Sequence, residues 1–415
     1  MELNKLEKTL HDRFFERLTT RISSSFLDIE CSTADLIEVS AMLFNEQACA
    51  FAGMIIEEED VSWSLRYMFY NDHGMIQVMI AASHDQTEFP SISAHVHASD
   101  WHERAAEDLF GLSFSGHPRL GEFILHEQWP EGTNPMRRGF DARAPFSHWE
   151  SRPDWEPPRV FDSPGAFSMP IGPIYSGIAE SVHFQLETIG EEIVRVIPRL
   201  FYKYRAVEKL AQGRSVGEAL LLAERFNGTS SFAHAFSFCQ AVEKIAEVEI
   251  PQRARRLRAF LAELERLRHH VAALQGICSS TGLAVAASQA GILEEEMLRL
   301  SGVFAGHRYL FGLATPGGLT RDFTDEKGRN VAGTASSIAQ RLNKLERLLT
   351  RSSSFLDRLE RVGIVTKDDA LRYGLVGPIA RASGSGRDLR TFLPYGGYEE
   401  LLLSPVQEEE GDGYA

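Results

Sequence analysis

Between residues 251 and 276, Leu257, Leu261, Leu264, Leu267, Val271 and Leu274 recur at steps of three and four residues. That spacing lines them up on one stripe of an α-helix, the pattern of a helix with one face in a core. Pro251 suits the first turn, where a missing N–H breaks no hydrogen bond. At roughly 1.5 Å per residue the segment would be about 40 Å long. A rod of that length must be covered by other helices, so this part of the chain is constrained to a mainly helical bundle. Further helices are expected over residues 292–304 and 331–359, the latter with Leu342, Leu345, Leu348 and Leu349 inside.

The first third of the chain has a different grain. Residues 1–30 show a weak helical period through Leu6, Leu10 and Phe14, and a second helix is expected over residues 33–51. Residues 63–70 and 75–80 then read as strands, with Asn71, Asp72, His73 and Gly74 supplying hairpin chemistry. Asp100 and Glu103 have the spacing of a capping box and would open a helix through Leu109, with Gly111 as its left-handed stop. Residues 1–140 therefore read as a small α+β domain. Residues 141–170 are rich in Pro and Trp and read as a linker, which Trp149 and Trp155 would hold against a surface. A second domain is expected over residues 171–415. It opens with a hairpin whose strands, residues 182–188 and 192–196, turn about Gly190.

Composition excludes some functions. A net charge of −15 argues against nucleic acid as a partner, which would need a basic face. No apolar run approaches ~18 residues, so no direct membrane span is expected. The N-terminal residues lack the basic-then-apolar plan of a signal peptide. Cys31, Cys49, Cys239 and Cys278 form no Cys-x-x-Cys pair, so no zinc or redox motif is visible, and scattered single thiols fit a reducing compartment. The expectation is a cytoplasmic protein with no metal ligands of its own.

Glu224, Arg225, Phe226, Asn227, Gly228, Thr229, Ser230, Ser231, Phe232, Ala233 and His234 join two helical runs. Read alone, they are a turn that opens a helix, capped by Asn227 or Thr229. They also resemble the first metal-binding segment of the large subunit of energy-converting [NiFe] hydrogenases. That pattern reads Asp-Arg-Val-Cys-Gly-Ile-Cys-Gly-Phe-Ala-His. Arg225, Gly228, Phe232, Ala233 and His234 match it, whereas Asn227 and Ser230 stand where the cysteines belong. Nickel in such a site needs soft thiolates, which an amide and a hydroxyl do not supply. The quinone-reducing core subunit of NADH:quinone oxidoreductase (complex I) is a similar relative without nickel.

The resemblance extends along most of the chain. Glu103-Arg104, Asp108 to Gly111, Gly116-His117-Pro118, Trp129 and Pro135 to Arg138 resemble the C subunit of complex I, for which the resemblance implies a structural domain and no chemistry. Without that comparison His117 and His126 are loop histidines. Gly172-Pro173-Ile174-Tyr175 matches a Gly-Pro-x-His element, with Tyr175 in the position of a histidine near the quinone head group. Tyr175 is read either as a hydrogen-bond donor there or as a packing aromatic beside a strand. Arg205, Glu208 and Lys209 match a further helix. So do Glu263, Glu265, Arg266 and His270 on the leucine-striped one, although Glu265 and Arg266 alone read as a wet face and His269 as a satisfied core residue. Thr315 to Asp322 resembles a Gly-Gly-x-x-x-Asp loop and lacks the Gly-Lys-Ser/Thr of a phosphate loop. Val376-Gly377-Pro378, Arg381-Ala382-Ser383-Gly384, Arg387-Asp388 and Arg390 are a close match to the family. Arg381 and Arg390 are read as holding charge at a buried site, and Asp388 with Arg390 equally as a pair that braces its loop. Family members continue past the equivalent of Ala415 to a second Cys-x-x-Cys. The expectation is either a shortened chain or a remainder carried on another polypeptide.

The fold expected is thus an α+β domain like the C subunit of complex I, then a mainly α-helical domain like the hydrogenase large subunit with a small β-hairpin at its start. The resemblance implies an oxidoreductase subunit acting within a complex. It implies an iron–sulfur small subunit as partner, antiporter-like and quinone-channel-like membrane subunits, and a peripheral position on the cytoplasmic face of the membrane. The catalytic candidates are Arg225, His234, Arg381 and Asp388. The cofactor-binding candidates are Tyr175, Asn227, Ser230 and Arg390, with no metal bound directly and quinone or another small molecule as acceptor. The alternative is an inactive scaffold that holds the iron–sulfur subunit on the membrane arm.

Overall fold

A computed structural model describes residues 2–23, 25–127, 129–130, 132–144, 164–175 and 181–415. Trp149, Trp155 and most of the expected linker lie outside the described residues. The chain forms two compact units. One comprises Met1–Lys209 with Arg372–Gly374, and the other Leu210–Leu371 with Leu375–Ala415.

The first unit is built on a five-stranded sheet. Helix α1 (Leu3–Phe14) precedes β1 (Thr19–Ser23) and β2 (Phe26–Glu30); α2 (Leu36–Ala41) leads to β3 (Ala50–Glu58), β4 (Ser62–Asn71) and β5 (Gly74–Ser83). The strand order is β1-β2-β5-β4-β3, parallel only between β2 and β5. Alternation decides which face is buried. Leu65 opposes Ile80, Tyr67 opposes Val78 and Phe69 opposes Ile76, and all six are buried in one core that Leu6, Leu10 and Phe14 of α1 also join. The β4–β5 turn is the tight one expected: Asn71 faces Gly74 across two residues, and its Oδ1 accepts the His73 N–H at 2.8 Å.

Two sequence expectations fail here. The helical period of residues 1–30 covers α1 only, because β1 and β2 are too short to show a strand pattern of their own. The helix expected over residues 33–51 stops early. A π-helical turn (Met42–Glu46) follows α2, Ala48 takes φ 51°, and Cys49 and Phe51 enter the sheet core.

Strands β6 (Glu88–Pro90) and β7 (Ser113–Ser115) pair in parallel around α3 (Asp100–Phe110). Gly111, at φ 72°, ends α3 as expected. No side chain caps its start. Glu103 instead turns inward, fully buried, and accepts from Ser91 Oγ at 2.5 Å and Ile92 N at 2.8 Å. The expected hairpin is a three-stranded sheet, in which β8 (Ala166–Ile171) joins β9 (His183–Ile189) and β10 (Glu192–Arg199) and groups with the first unit. Helix α4 (Val207–Ala211) spans the junction.

The second unit is helical. Helices α5 (Val216–Phe226) and α6 (Ser231–Ile245) pack as a pair, and α7 (Gln252–Ser280) runs through the core beside α8 (Ala284–Ala305). A two-rung hairpin, β11 (Ala314–Thr315) with β12 (Gly318–Leu319), precedes α9 (Asp325–Leu349). Four short helices follow, α10 (Ser353–Leu356), α11 (Lys367–Arg372), α12 (Gly377–Ala382) and α13 (Leu389–Phe392). Phe232, Phe236, Leu261, Leu264, Val271, Met297 and Ile338 form the main core. The leucine stripe is only partly the inner face of α7. Leu257, Leu267 and Leu274 are half-buried, whereas Arg258, Glu265 and Arg268 are buried on the turns between.

Candidate functional site

Helix α5 opens with a capping box in which Ser215 and Glu218 bond each other's backbone, and it closes at Phe226. Asn227 leaves the helix, and its Oδ1 accepts the N–H of Thr229 at 3.1 Å and its hydroxyl at 2.8 Å. Asn227 therefore caps the 3-10 turn Gly228–Ser230 rather than α6. The first free N–H groups of α6, on Phe232 and Ala233, go to the Glu265 carboxylate from α7, at 2.9 and 3.0 Å. Glu265 is not the wet residue its sequence neighbourhood suggests. Burial pushes its carboxyl up to about 7, against the pull of those two N–H groups.

Ser230 directs its hydroxyl to His269 Nε2, 2.9 Å away. The Arg268 guanidinium lies 2.7 Å from the same nitrogen and donates to the Thr229 carbonyl at 2.6 Å. A guanidinium can only donate, so Nε2 accepts and the ring is neutral. Burial and then the Arg268 charge pull His269 down to about 4. Glu224, buried, accepts the Gly312 N–H at 2.7 Å, and Ser231 donates to the Tyr309 carbonyl. Arg225 is 59% exposed at its side chain. It donates to the Leu221 carbonyl at 3.0 Å and lies 5.4 Å from the Phe311 ring centre. His234 is half-buried and meets Phe226 edge-on at 4.9 Å, and burial lowers its pKa.

A second constellation lies on the neighbouring face of α7. Asp388 accepts Arg390 Nε at 2.9 Å and Nη2 at 2.6 Å as a two-pronged pair, and Arg381 stands 3.7 Å from it. Arg390 also bonds both oxygens of Glu263 at 3.1 Å. Tyr398 donates to Glu263 at 2.6 Å and Arg266 at 3.1 Å. The Arg390 hydrogen bonds hold Asp388 near 2, while Arg390 itself is raised by Asp388. Burial opposes ionisation of Glu263, yet Tyr398, Arg266 and Arg390 keep its pKa below the usual range. Burial, then the Arg266 and Arg381 charges, lower His270. Three guanidinium groups against two carboxylates leave one fixed positive charge. Such donors are held in place before any ligand arrives, and they favour an anion or a developing negative charge.

The structure thus joins Arg381, Asp388 and Arg390 in one network and ties Asn227 and Ser230 into the turn that meets His269. Both networks hang on residues 263–270 of α7. Tyr175 belongs to the first unit, where its hydroxyl donates to the Val182 carbonyl at 2.8 Å. Tyr398 and Arg268 were not signalled by the sequence, since nothing local marks a tyrosine 135 residues from its carboxylate as its partner. Glu263, Arg266 and His270 did carry a signal, through their resemblance to a Glu-Leu-Glu-Arg-Leu-x-x-His element, although Arg266 alone reads as a wet face. The Gly-rich turn is held from below. Arg258 and Glu243, both buried, bond at 2.9 and 2.6 Å, and Arg258 also donates to the Thr315 and Gly318 carbonyls at 2.8 and 3.0 Å. Among the described residues no group of three or more His, Cys, Asp or Glu side chains is arranged to hold a metal.

Residues 29–146 match the family model for the respiratory-chain NADH dehydrogenase 30 kDa subunit, and residues 288–415 match that for the 49 kDa subunit. Formate hydrogenlyase subunit 5 of Escherichia coli K12 is 30% identical over 338 residues, covering 81% of this chain and 59% of the relative. Hydrogenase-4 component G of the same organism is 30% identical over 339 residues, 80% of this chain and 57% of the relative. The fused C/D subunit of the NADH-quinone oxidoreductase of Bdellovibrio bacteriovorus is 29% identical over 321 residues, 76% and 57% respectively. The chain spans less than two thirds of the length of these relatives. In one polypeptide, residues 29–146 are thus similar to the 30 kDa subunit and residues 288–415 to the 49 kDa subunit of respiratory-chain NADH dehydrogenase.

Proposed function

We propose that the chain is the redox subunit of a membrane-associated, energy-converting oxidoreductase complex of the complex I or formate hydrogenlyase type. In this reading an iron–sulfur partner subunit delivers electrons, and a quinone or another small acceptor takes them, coupled to ion translocation. The observation that carries the reading is the preorganised cluster of Arg266, Arg381 and Arg390 with Glu263 and Asp388, which leaves one uncompensated positive charge beside α7. A positive charge fixed in a partly dry site favours the reduced, more negative form of an acceptor. The Tyr398 hydroxyl donates to Glu263 at the same place, and burial with that hydrogen bond raises its pKa above the usual phenol range. No helix among the described residues is long and apolar enough to cross a membrane. The chain would sit peripherally on the cytoplasmic face, held by antiporter-like and quinone-channel-like membrane subunits.

The nickel that the resemblance of residues 224–234 to [NiFe] hydrogenases would imply does not fit these residues. Asn227 Oδ1 is committed to the Thr229 backbone and hydroxyl, and Ser230 Oγ to His269. Neither is a thiolate, so no step is routed through nickel. The same saturation supports a second reading, a scaffold that seats the iron–sulfur subunit without turning over. The two separate in the whole complex, through quinone-analogue binding and turnover in Arg381→Ala, Arg225→Ala and His234→Ala variants. The redox reading expects Arg381→Ala to lose roughly tenfold or more, the loss of one charge-assisted hydrogen bond. Unchanged binding and turnover in all three variants leaves the scaffold.

A further inference from the structure

The first unit holds a cleft of about 570 Å³ between α3, the following loop and β9–β10. Among the described residues its charged lining is mostly basic. Arg104, Arg119, Arg195 and Arg199 face it, against Glu122. Arg199 is paired with Glu127. Arg119 and Arg195 make no ion pair among the described residues. Trp101, Phe123 and Val196 give it an apolar wall, with the Arg104 guanidinium 4.2 Å from the Phe123 ring centre.

Two donors in this lining lack an acceptor. Arg104 is 8% exposed; its Nη2 donates to the Glu122 carbonyl at 3.0 Å, but its buried Nε has no partner. Gln185 is 4% exposed, and its buried Nε2 has none either. Leaving a buried donor unmade costs about 1–3 kcal/mol, so two in one basic cleft require an explanation. Burial and then the Arg119 charge lower the pKa of Arg104, against the opposing pull of Asp100, Asp108 and Glu107.

We propose that this cleft binds a carboxylate carried on an apolar body, with Arg104, Arg119 and Gln185 as donors to the carboxylate and Trp101 with Phe123 against the body. The two orphan donors supply hydrogen bonds, the unpaired Arg119 supplies charge, and the aromatic wall excludes a fully hydrated ion. The carboxylate belongs either to a free small molecule or to an acidic side chain of a partner subunit. The inference is independent of the redox reading, since it rests on the first unit alone.

The test is calorimetric titration of the full 415-residue chain with benzoate, with benzamide as the uncharged control, and with the blocked peptide Ala-Leu-Glu-Phe-Ala. Benzoate or the peptide should bind, benzamide should not, and Arg119→Ala should weaken binding roughly tenfold or more. Arg119 is exposed, so its variant folds even if Arg104→Gln does not. Gln185→Leu should weaken binding less, because its donor is neutral. Peptide binding at least about tenfold tighter than benzoate identifies a partner subunit as the source, and the converse a small molecule. Failure of both probes to bind, or binding unchanged in both Arg119→Ala and Gln185→Leu, overturns the proposal.

Discussion

The carboxylate of Glu265, in the middle of α7, accepts the Phe232 and Ala233 N–H groups, 33 and 32 residues earlier in the chain, and so caps α6. Helix α6 supplies no side-chain cap of its own, because the Ser230 hydroxyl is turned to His269. The turn that links α5 to α6 is therefore held from α7. Glu265→Ala leaves two N–H groups without their acceptor and should cost about 2–4 kcal/mol, measurable by urea denaturation. A cost below about 0.5 kcal/mol would show that water replaces the carboxylate freely.

Arg258 and Glu243 give a sharper contrast. Each is buried, and the pair supports the Gly-rich turn through the Thr315 and Gly318 carbonyls and the Gly317 N–H. Arg258→Met strands the Glu243 carboxylate and should cost about 3–5 kcal/mol. Arg258→Met with Glu243→Leu should recover a large part of that loss, because no charge remains in the core. Equal melting temperatures for the single and double variants would contradict this account.

The fold was legible where local pattern and burial agree. The β4–β5 hairpin shows because Leu65, Tyr67 and Phe69 alternate and Asn71 is a turn residue. Gly111 shows because a helix stop needs positive φ. The site was legible only in part. Arg381, Asp388 and Arg390 lie close in sequence and meet in space. The inward charges of α7 do not show, because Arg258, Glu265 and Arg268 alternate with polar neighbours as an exposed face would. Their partners, Glu243, the Phe232 N–H and the Thr229 carbonyl, lie 15 to 39 residues away. Strand β1 was hidden by its length, and Cys49 with Phe51 left an expected helix because the sheet core needed them more than the helix did.

Glu103 should make stability fall with pH. Burial raises its carboxyl to about 7 from 4.5, so the folded protein holds the proton more tightly than the unfolded chain does. This contribution is complete below about 4.5 and is lost as pH rises to about 7, a change of roughly 3 kcal/mol. Glu103→Gln lacks the titration. The free-energy difference between variant and wild type should therefore shift toward the variant by about that amount between pH 4 and pH 8. A difference independent of pH would mean that Glu103 ionises normally in the folded state.

His269 works in the opposite direction. Burial and Arg268 hold its folded pKa near 4 against an ordinary 6.5, so the neutral ring stabilises the fold above pH 6.5 and this contribution fades as pH falls toward 4. Imidazole resonances should show no protonation at pH 5.5. Removing the Arg268 charge with Arg268→Gln should raise the titration midpoint, and a midpoint unmoved by that change would remove Arg268 from the cause.

Nickel content tests the comparison with hydrogenases directly. The positions of the two thiolates hold Asn227 and Ser230, and both are engaged, the one in its own turn and the other with His269. To meet a metal, Ser230 would have to release His269, and Asn227 would have to give up the turn that sets the entry of α6. Neither would then offer the soft anionic sulfur that nickel prefers. The protein purified from cells grown with nickel should therefore contain far less than one nickel per chain by elemental analysis. Asn227→Cys with Ser230→Cys should raise that content only if the thiols escape the hydrogen bonds of the turn. Stoichiometric nickel in the unaltered protein would refute the assignment of these two side chains to structural work.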